Sequence, residues 1–150
     1  MLTALLVKEQ PEFEHLHALF LQCLYWSVGG ALLEDGKVKF DAYIKYMCGL
    51  TQVDGKRAGL GEMPSDESLY EYYWDPETYE WVAWKDKVPQ YIHDPARRFT
   101  EILVPTVDTV RTTWLVENQV RIKRPALLVG ETGTSKTATT QNFLRGESHG

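Results

Sequence analysis

The chain reads as α/β: an incomplete P-loop module preceded by a helical segment and an aromatic β-hairpin. Three observations carry this. A continuous apolar run, Pro125–Gly130, leads directly into Gly130-Glu-Thr-Gly-Thr-Ser-Lys-Thr137. Apolar residues recur at three- and four-residue spacing from Phe13 onward. Two aromatic runs flank the Asp75-Pro76 turn.

The elements follow in order. From Phe13 to about Leu33 the residues Phe13, Leu16, Leu19, Phe20, Leu24, Tyr25, Trp26 and Val28 give a helical period that thickens until nearly every face is apolar. That pattern predicts a helix sunk into a larger assembly. Gly29 and Gly30 break it or pack it closely. A second helix is expected over Lys39–Leu50, with Phe40, Tyr43, Ile44 and Met47 on one stripe. The glycines and charges of Gln52–Ser68 read as a loop. Leu69–Trp74 and Tyr79–Trp84 around Asp75–Thr78 predict a hairpin, because aromatics favour strands and Pro fits the first corner of a turn. Its aromatics are read as packing residues. Acidic neighbours Glu71, Asp75, Glu77 and Glu80 oppose a base-stacking role.

Pro105 is expected at a helix start, where its missing N–H costs nothing. Val107, Val110, Trp114 and Leu115 continue that helix to about Asn118. Pro125–Gly130 fits a strand buried on both faces, as in a parallel sheet.

Composition bounds the function. The 150 residues are 43% apolar and 25% charged, as in a soluble globular domain. The formal net charge of -5 argues against a nucleic-acid partner, since such surfaces are built from clustered Lys and Arg. The compact basic stretch Arg121, Lys123, Arg124 is read as a solvated helix end. Met1–Val7 meets Lys8 and Glu9 at once and lacks the features of a secretory leader. No stretch reaches the roughly 18 apolar residues of a membrane helix. A cytosolic-type, reducing compartment with free thiols at Cys23 and Cys48 is the expectation, with no membrane partner.

The chemistry lies in Gly130–Thr137. This stretch fits the phosphate-loop rule except that Ser135 stands where the pattern has Gly. Gly130 permits a sharp turn off the strand end, and Gly133 lets backbone amides approach phosphate oxygens. Glu131, Thr132, Thr134 and Ser135 contribute the intervening amides. Lys136 supplies positive charge, Thr137 offers a hydroxyl to Mg²⁺, and the following helix points its positive end at the anion. The Ser135 Cβ costs about 1–2 kcal/mol only if the site demands a left-handed backbone. That allows weaker binding without loss of it.

Other groups offer less. No strand after Gly130 supplies a second carboxylate, and Asp108 is expected on a helix, so no catalytic residue is assigned. His15 and His17 point to different helix faces and make a poor metal pair. His93 and His149 fall in loops. Arg97 and Arg98 are read as structural ion-pair residues, with a finger role toward a neighbouring nucleotide as the alternative.

The strings Val104-Pro-Thr-Val-Asp-Thr-Val-Arg111 and Arg124-Pro-Ala-Leu-Leu-Val-Gly-Glu-Thr-Gly-Thr-Ser-Lys-Thr-Ala138 resemble the dynein heavy chain family, at the start of the third AAA+ module of its motor ring. Trp26–Gly30 with Lys39-Phe-Asp41 resembles the end of the second module. The hairpin resembles the Trp-rich connection between them. The Ser135 form looks more like axonemal than cytoplasmic heavy chains.

The resemblance implies a segment 1–52 ending one module, a connection over 53–95, and the start of a nucleotide-binding domain over 96–150. It implies ATP and Mg²⁺ at Gly130–Thr137, with a regulatory role for the nucleotide. It further implies neighbouring AAA+ modules, dynein intermediate and light chains and microtubules as partners of the parent, and a place in the cytoplasm, cytoskeleton and cilium axoneme. The second acidic motif, the sensors and the arginine finger have no counterpart here, so turnover by this chain alone is not expected. The tail Arg145–Gly150 departs from the family's loop helix. Two alternatives remain: a structural spacer between modules whose loop carries no nucleotide, and part of an unrelated P-loop NTPase.

Overall fold

A computed structural model of the chain describes residues 5, 13–49, 63–64, 66–92 and 102–146. Among the described residues it combines helices with one small antiparallel sheet, and the chain divides into two compact units, residues 1–83 and 84–150. Among the described residues, no helix is long and apolar enough to cross a membrane.

In the first unit, helix α1 spans Phe13–Ser27 and α2 spans Glu34–Met47. Helix α1 is buried on most faces: Ala18, Leu19, Leu21, Gln22, Cys23 and Tyr25 are all inside, leaving Leu16 and Phe20 as an exposed i,i+4 stripe. It ends earlier than the expected Leu33, and a short 3₁₀ turn, Gly29–Ala31, follows. Gly29 lies just past this boundary. It is buried, and a Cβ there would collide with the Tyr70 hydroxyl and come within 2.9 Å of the Phe40 ring. Helix α2 starts five residues before the expected Lys39. Glu34 and Asp35 in its first turn and Lys45 in its last suit the helix dipole, and Gly49 closes it at φ 69°.

A buried carboxylate joins these elements. Asp41 on α2 accepts from the Tyr25 hydroxyl on α1 (2.8 Å) and from the backbone N–H of Leu69 (2.9 Å). Its second oxygen pairs with Lys45 at 2.8 Å, and Lys45 also donates to the Glu67 carbonyl. A buried charge is tolerable only when paired and hydrogen-bonded, and here both conditions hold. Around it Leu21, Tyr25, Ile44, Met63, Leu69 and Tyr70 form the core. Burial, then the bond to Asp41, raises the Tyr25 hydroxyl far above its usual pKa; burial pushes Tyr70 up to about 12 and the Cys23 thiol to about 11.

The sheet is short. Strand β1, Tyr72–Asp75, pairs antiparallel with β2, Glu80–Ala83, placing Tyr73 opposite Val82 and Trp74 opposite Trp81. The two tryptophans meet at 5.5 Å and 67°. Residues 69–71, expected in the strand, form a 3₁₀ turn capped by the Ser68 side chain. The Asp75 carboxylate accepts from the Glu77 N–H, and Tyr79 closes the connection at φ 58°. Trp74 ties the sheet to α1: its backbone N–H donates to Gln22 Oε1 (3.1 Å) and its indole N–H to His15 Nδ1 (2.7 Å).

In the second unit, Trp84–Lys87 forms a 3₁₀ turn, α3 spans Val107–Arg121 and α4 spans Lys136–Leu144. Pro105 lies just outside α3 rather than at its first position. Thr106 is the cap, bonded reciprocally with Thr109, and this box fixes the start. Buried Trp84 packs edge-on against Trp114 at 5.4 Å. Lys123 (φ 56°) ends α3: its N–H reaches the Val120 carbonyl and that of Arg124 reaches Gln119, both at 2.9 Å. Helix α4 packs on α3, and Thr139 is its buried position.

The expectations for residues 52–62, His93, Arg97, Arg98 and the tail 147–150 lie outside the described residues.

Two predictions follow from the first unit. Gly29→Ala should destabilise it by about 1–3 kcal/mol, read as a lower thermal midpoint in tryptophan fluorescence, because packed neighbours must move; an unchanged midpoint would show the contact to be soft. The second concerns pH. Burial holds His15 below its ordinary value of 6.5, and the indole N–H demands an unprotonated Nδ1. Above pH 6.5 both folded and unfolded forms are neutral at this group. Below it the unfolded chain takes up the proton first, so stability falls as pH drops. Between pH 7.5 and 5.5 the urea midpoint of His15→Asn, which keeps an acceptor but does not titrate, should fall less than that of the wild type.

Candidate functional site

The expected strand Pro125–Gly130 is corrected here. The run carries no ladder, and Leu127 and Val129 are 88% and 85% exposed. A strand exists only as part of a ladder, and among the described residues the one sheet is the β1–β2 pair. The run leads to the loop without support from a sheet.

Beyond it the chain reverses into α4 through two residues with positive φ, Gly133 at 88° and Ser135 at 57° with ψ 12°. Glycine takes such a conformation freely, whereas Ser135 takes it with a Cβ. The left-handed demand that the sequence left open is therefore present. Ser135 then serves as the N-cap of α4, with its carbonyl accepting from the Thr139 N–H (2.9 Å), but its side chain makes no capping bond. The amides of residues 136–138 begin the helix and so have no intrahelical acceptor. An uncapped N-terminus carrying the positive end of the helix dipole is a place for an anion.

Lys136 stands at that terminus and folds back over the loop. Its Nζ donates to the Gly130 carbonyl (2.7 Å), the Glu131 carbonyl and Thr134 Oγ1 (2.8 Å). The Thr134 hydroxyl donates to the Glu131 carbonyl at 2.8 Å. Gly130 leaves room for this approach, as a Cβ there would lie 3.1 Å from Thr134 Oγ1. Thr137 is exposed in the first turn of α4, and Glu131 and Thr132 are exposed on the loop. Of the eight residues, Gly130, Glu131, Thr134 and Lys136 are joined by these bonds, Ser135 is the N-cap of α4, and Thr137 lies in its first turn. The linking position of Thr134 was missed from sequence. Its only signal is a hydroxyl two residues before the lysine.

Groups elsewhere do not join this mouth. Asp108 lies in the first turn of α3, 92% exposed in its side chain and 3.9 Å from Arg111. His15 is buried in the first unit against Trp74 and Tyr79. Among the described residues, no group of three or more His, Cys, Asp or Glu is placed to hold a metal ion. Thr137 carries a hydroxyl in the exposed first turn of α4, a hard oxygen of the kind that Mg²⁺ prefers.

The matches to known proteins agree with this loop and with its setting. A profile of the dynein heavy chain AAA lid domain matches residues 3–86, and one of the P-loop containing dynein motor region matches residues 91–149. Dynein axonemal heavy chain 10 of Homo sapiens is 52% identical over 148 residues, 97% of this chain. The dynein-1-alpha heavy chain of the flagellar inner arm I1 complex of Chlamydomonas reinhardtii is 38% identical over 133 residues, 86% of this chain. Dynein axonemal heavy chain 2 of Mus musculus is 35% identical over 127 residues, 84% of this chain. The chain spans about 3% of the length of each of these relatives. With a lid-domain match over more than half its length and a P-loop match over the rest, the chain belongs to the dynein heavy chain family.

Proposed function

We propose that the chain is an ATP-binding segment of an axonemal dynein heavy chain, with a regulatory nucleotide held at residues 130–137. The observation that carries this is the uncapped N-terminus of α4 with the Lys136 ammonium folded over the same mouth. The names of the relatives, axonemal and flagellar heavy chains, supply the setting. In this reading the backbone amides of Gly130, Glu131, Thr132, Gly133, Thr134 and Ser135 line the phosphates. Lys136 neutralises the β and γ charge. Thr137 gives an oxygen to Mg²⁺, which when bound would screen the phosphates. Hydrolysis needs a second carboxylate and an arginine; those groups would come from other parts of a heavy chain.

The parts of the chain then divide as read from sequence. Residues 1–52 end one AAA+ module, 53–95 connect, and 96–150 begin the next. The compact unit 1–83 contains the β1–β2 pair, which favours a connection built onto the first segment. Neighbouring modules, intermediate and light chains and microtubules are the partners through the whole motor, which works on the cytoskeleton of the cilium axoneme in the cytoplasm. The second reading, a spacer whose loop takes no nucleotide, draws on the unsupported run before the loop, with Leu127 and Val129 exposed.

Ser135 bears on affinity. A left-handed backbone that carries a Cβ is costly, so it is only a fraction of the loop's accessible arrangements, and apparent affinity scales with that fraction.

Titration with a fluorescent ATP analogue and Mg²⁺ separates the readings. Lys136→Ala should lose most binding, about tenfold or more for a charge-assisted contact; equal affinity in variant and wild type removes the lysine from the site. Ser135→Gly should tighten binding by up to about fivefold, corresponding to roughly 1 kcal/mol of relieved strain. Weaker binding by this variant would show that the serine contributes a contact of its own.

A further inference from the structure

An ammonium has three N–H donors. In Lys136 all three are engaged by oxygens of the loop itself: the carbonyls of Gly130 and Glu131 and Oγ1 of Thr134. No donor remains for a fourth oxygen. Thr134 is fixed in turn, because its single hydroxyl proton goes to the Glu131 carbonyl (2.8 Å), which leaves its lone pairs for the amine. Gly130 allows the arrangement, since a Cβ there would lie 3.1 Å from Thr134 Oγ1 and 3.6 Å from Lys136 Nζ.

We propose that Thr134 sets the affinity of this loop: it is the catch that holds the Lys136 ammonium on the loop's own oxygens, and a phosphate binds by drawing the ammonium away. This rests on the reading of residues 130–137 as a triphosphate loop. The argument is one of exchange. The same N–H groups cannot serve loop and ligand together, so each bond to a phosphate oxygen replaces one already made. Net affinity is the difference between the two sets. Two of the three loop acceptors are backbone carbonyls, which no substitution at their positions removes. Thr134 is the one acceptor that is a side chain, so it is the one through which sequence tunes the balance. It acts on the ligand through Lys136 and is a positioning residue.

The hydroxyl is separable from the shape. Thr134→Val keeps the branched outline and removes the acceptor, while Thr134→Ser keeps the acceptor and removes a methyl. Two measurements on the full chain test the proposal. The first is the acylation rate of Lys136 Nζ by an N-hydroxysuccinimide ester, followed by peptide mass spectrometry with no nucleotide present. The second is the affinity for a fluorescent ATP analogue with Mg²⁺.

Thr134→Val should be acylated about threefold or more faster and bind about threefold or more tighter, as expected for one lost bond to a charged group. Thr134→Ser should match the wild type in both. Equal acylation of Thr134→Val and wild type overturns the catch, and so does faster acylation with unchanged or weaker binding. If Lys136→Ala binds like the wild type, the triphosphate reading itself fails and takes this proposal with it. If Lys136→Ala loses binding while Thr134→Val behaves as wild type, only the role of Thr134 fails.

Discussion

The reversal at Gly133 and Ser135 governs everything the second unit can do. Two residues with positive φ within three positions turn an extended run into the first turn of α4. That geometry, and no side-chain cap, leaves the amides at the head of the helix open. It also brings Lys136 back across the loop, so that its ammonium meets oxygens from residues five and six positions earlier. A chain that passed from 130 to 136 without the reversal would carry the same residues and hold nothing. Loop conformation is the primary variable here, and residue identity acts through it.

The first unit is organised by a different constraint. Asp41 is a charge that has to be satisfied wherever it is buried, and its partners come from α1, from α2 itself and from the turn before β1. Withdrawing Lys45 would leave an uncompensated buried carboxylate, which costs more than a surface ion pair returns. The Trp74 contacts to Gln22 and His15 add a second fastening between the sheet and α1. Elements fastened in this way shift together. That is a useful property for a lid domain, the family description that this part of the chain matches.

Much of this was legible in sequence where the determinant is local. The loop at 130–137 and the helix after it are set by glycines, a lysine and a threonine at fixed spacing, and they stand where that spacing puts them. The helix boundaries were legible only in part. Just past the end of α1, Gly29 leaves room for Tyr70 and Phe40, residues 41 and 11 positions away, and no local rule reports such a close approach. The start of α2 lies at the acidic pair Glu34–Asp35, ahead of the apolar stripe that begins at Phe40, so apolar period alone does not report it. The role of Asp41 and Lys45 was invisible, since an i,i+4 pair of opposite charge normally lies in solvent. The run at 125–130 carries no ladder among the described residues: its apolar residues state what a strand would bury, and a chain about 3% of the length of its relatives does not include the whole of what could pair with it.

Ser135 shows how a motif and its conformation carry different information. The spacing of Gly130, Gly133, Lys136 and Thr137 says that phosphate chemistry is intended. It does not say how firmly the phosphate is held. That depends on whether position 135 takes a left-handed backbone and on what the lysine does with its three donors, and both are properties of the folded loop. The two effects act in the same direction: a Cβ in a left-handed turn makes the binding form less accessible, and a catch on Lys136 makes its ammonium less available. A loop weakened in both respects suits a nucleotide that is sensed rather than consumed. In the proposed reading the loop grips a triphosphate, and Asp108, turned to Arg111 and solvent, takes no part. On that proposal, grip and chemistry would be divided between separate parts of a heavy chain, which is the arrangement a regulatory site requires.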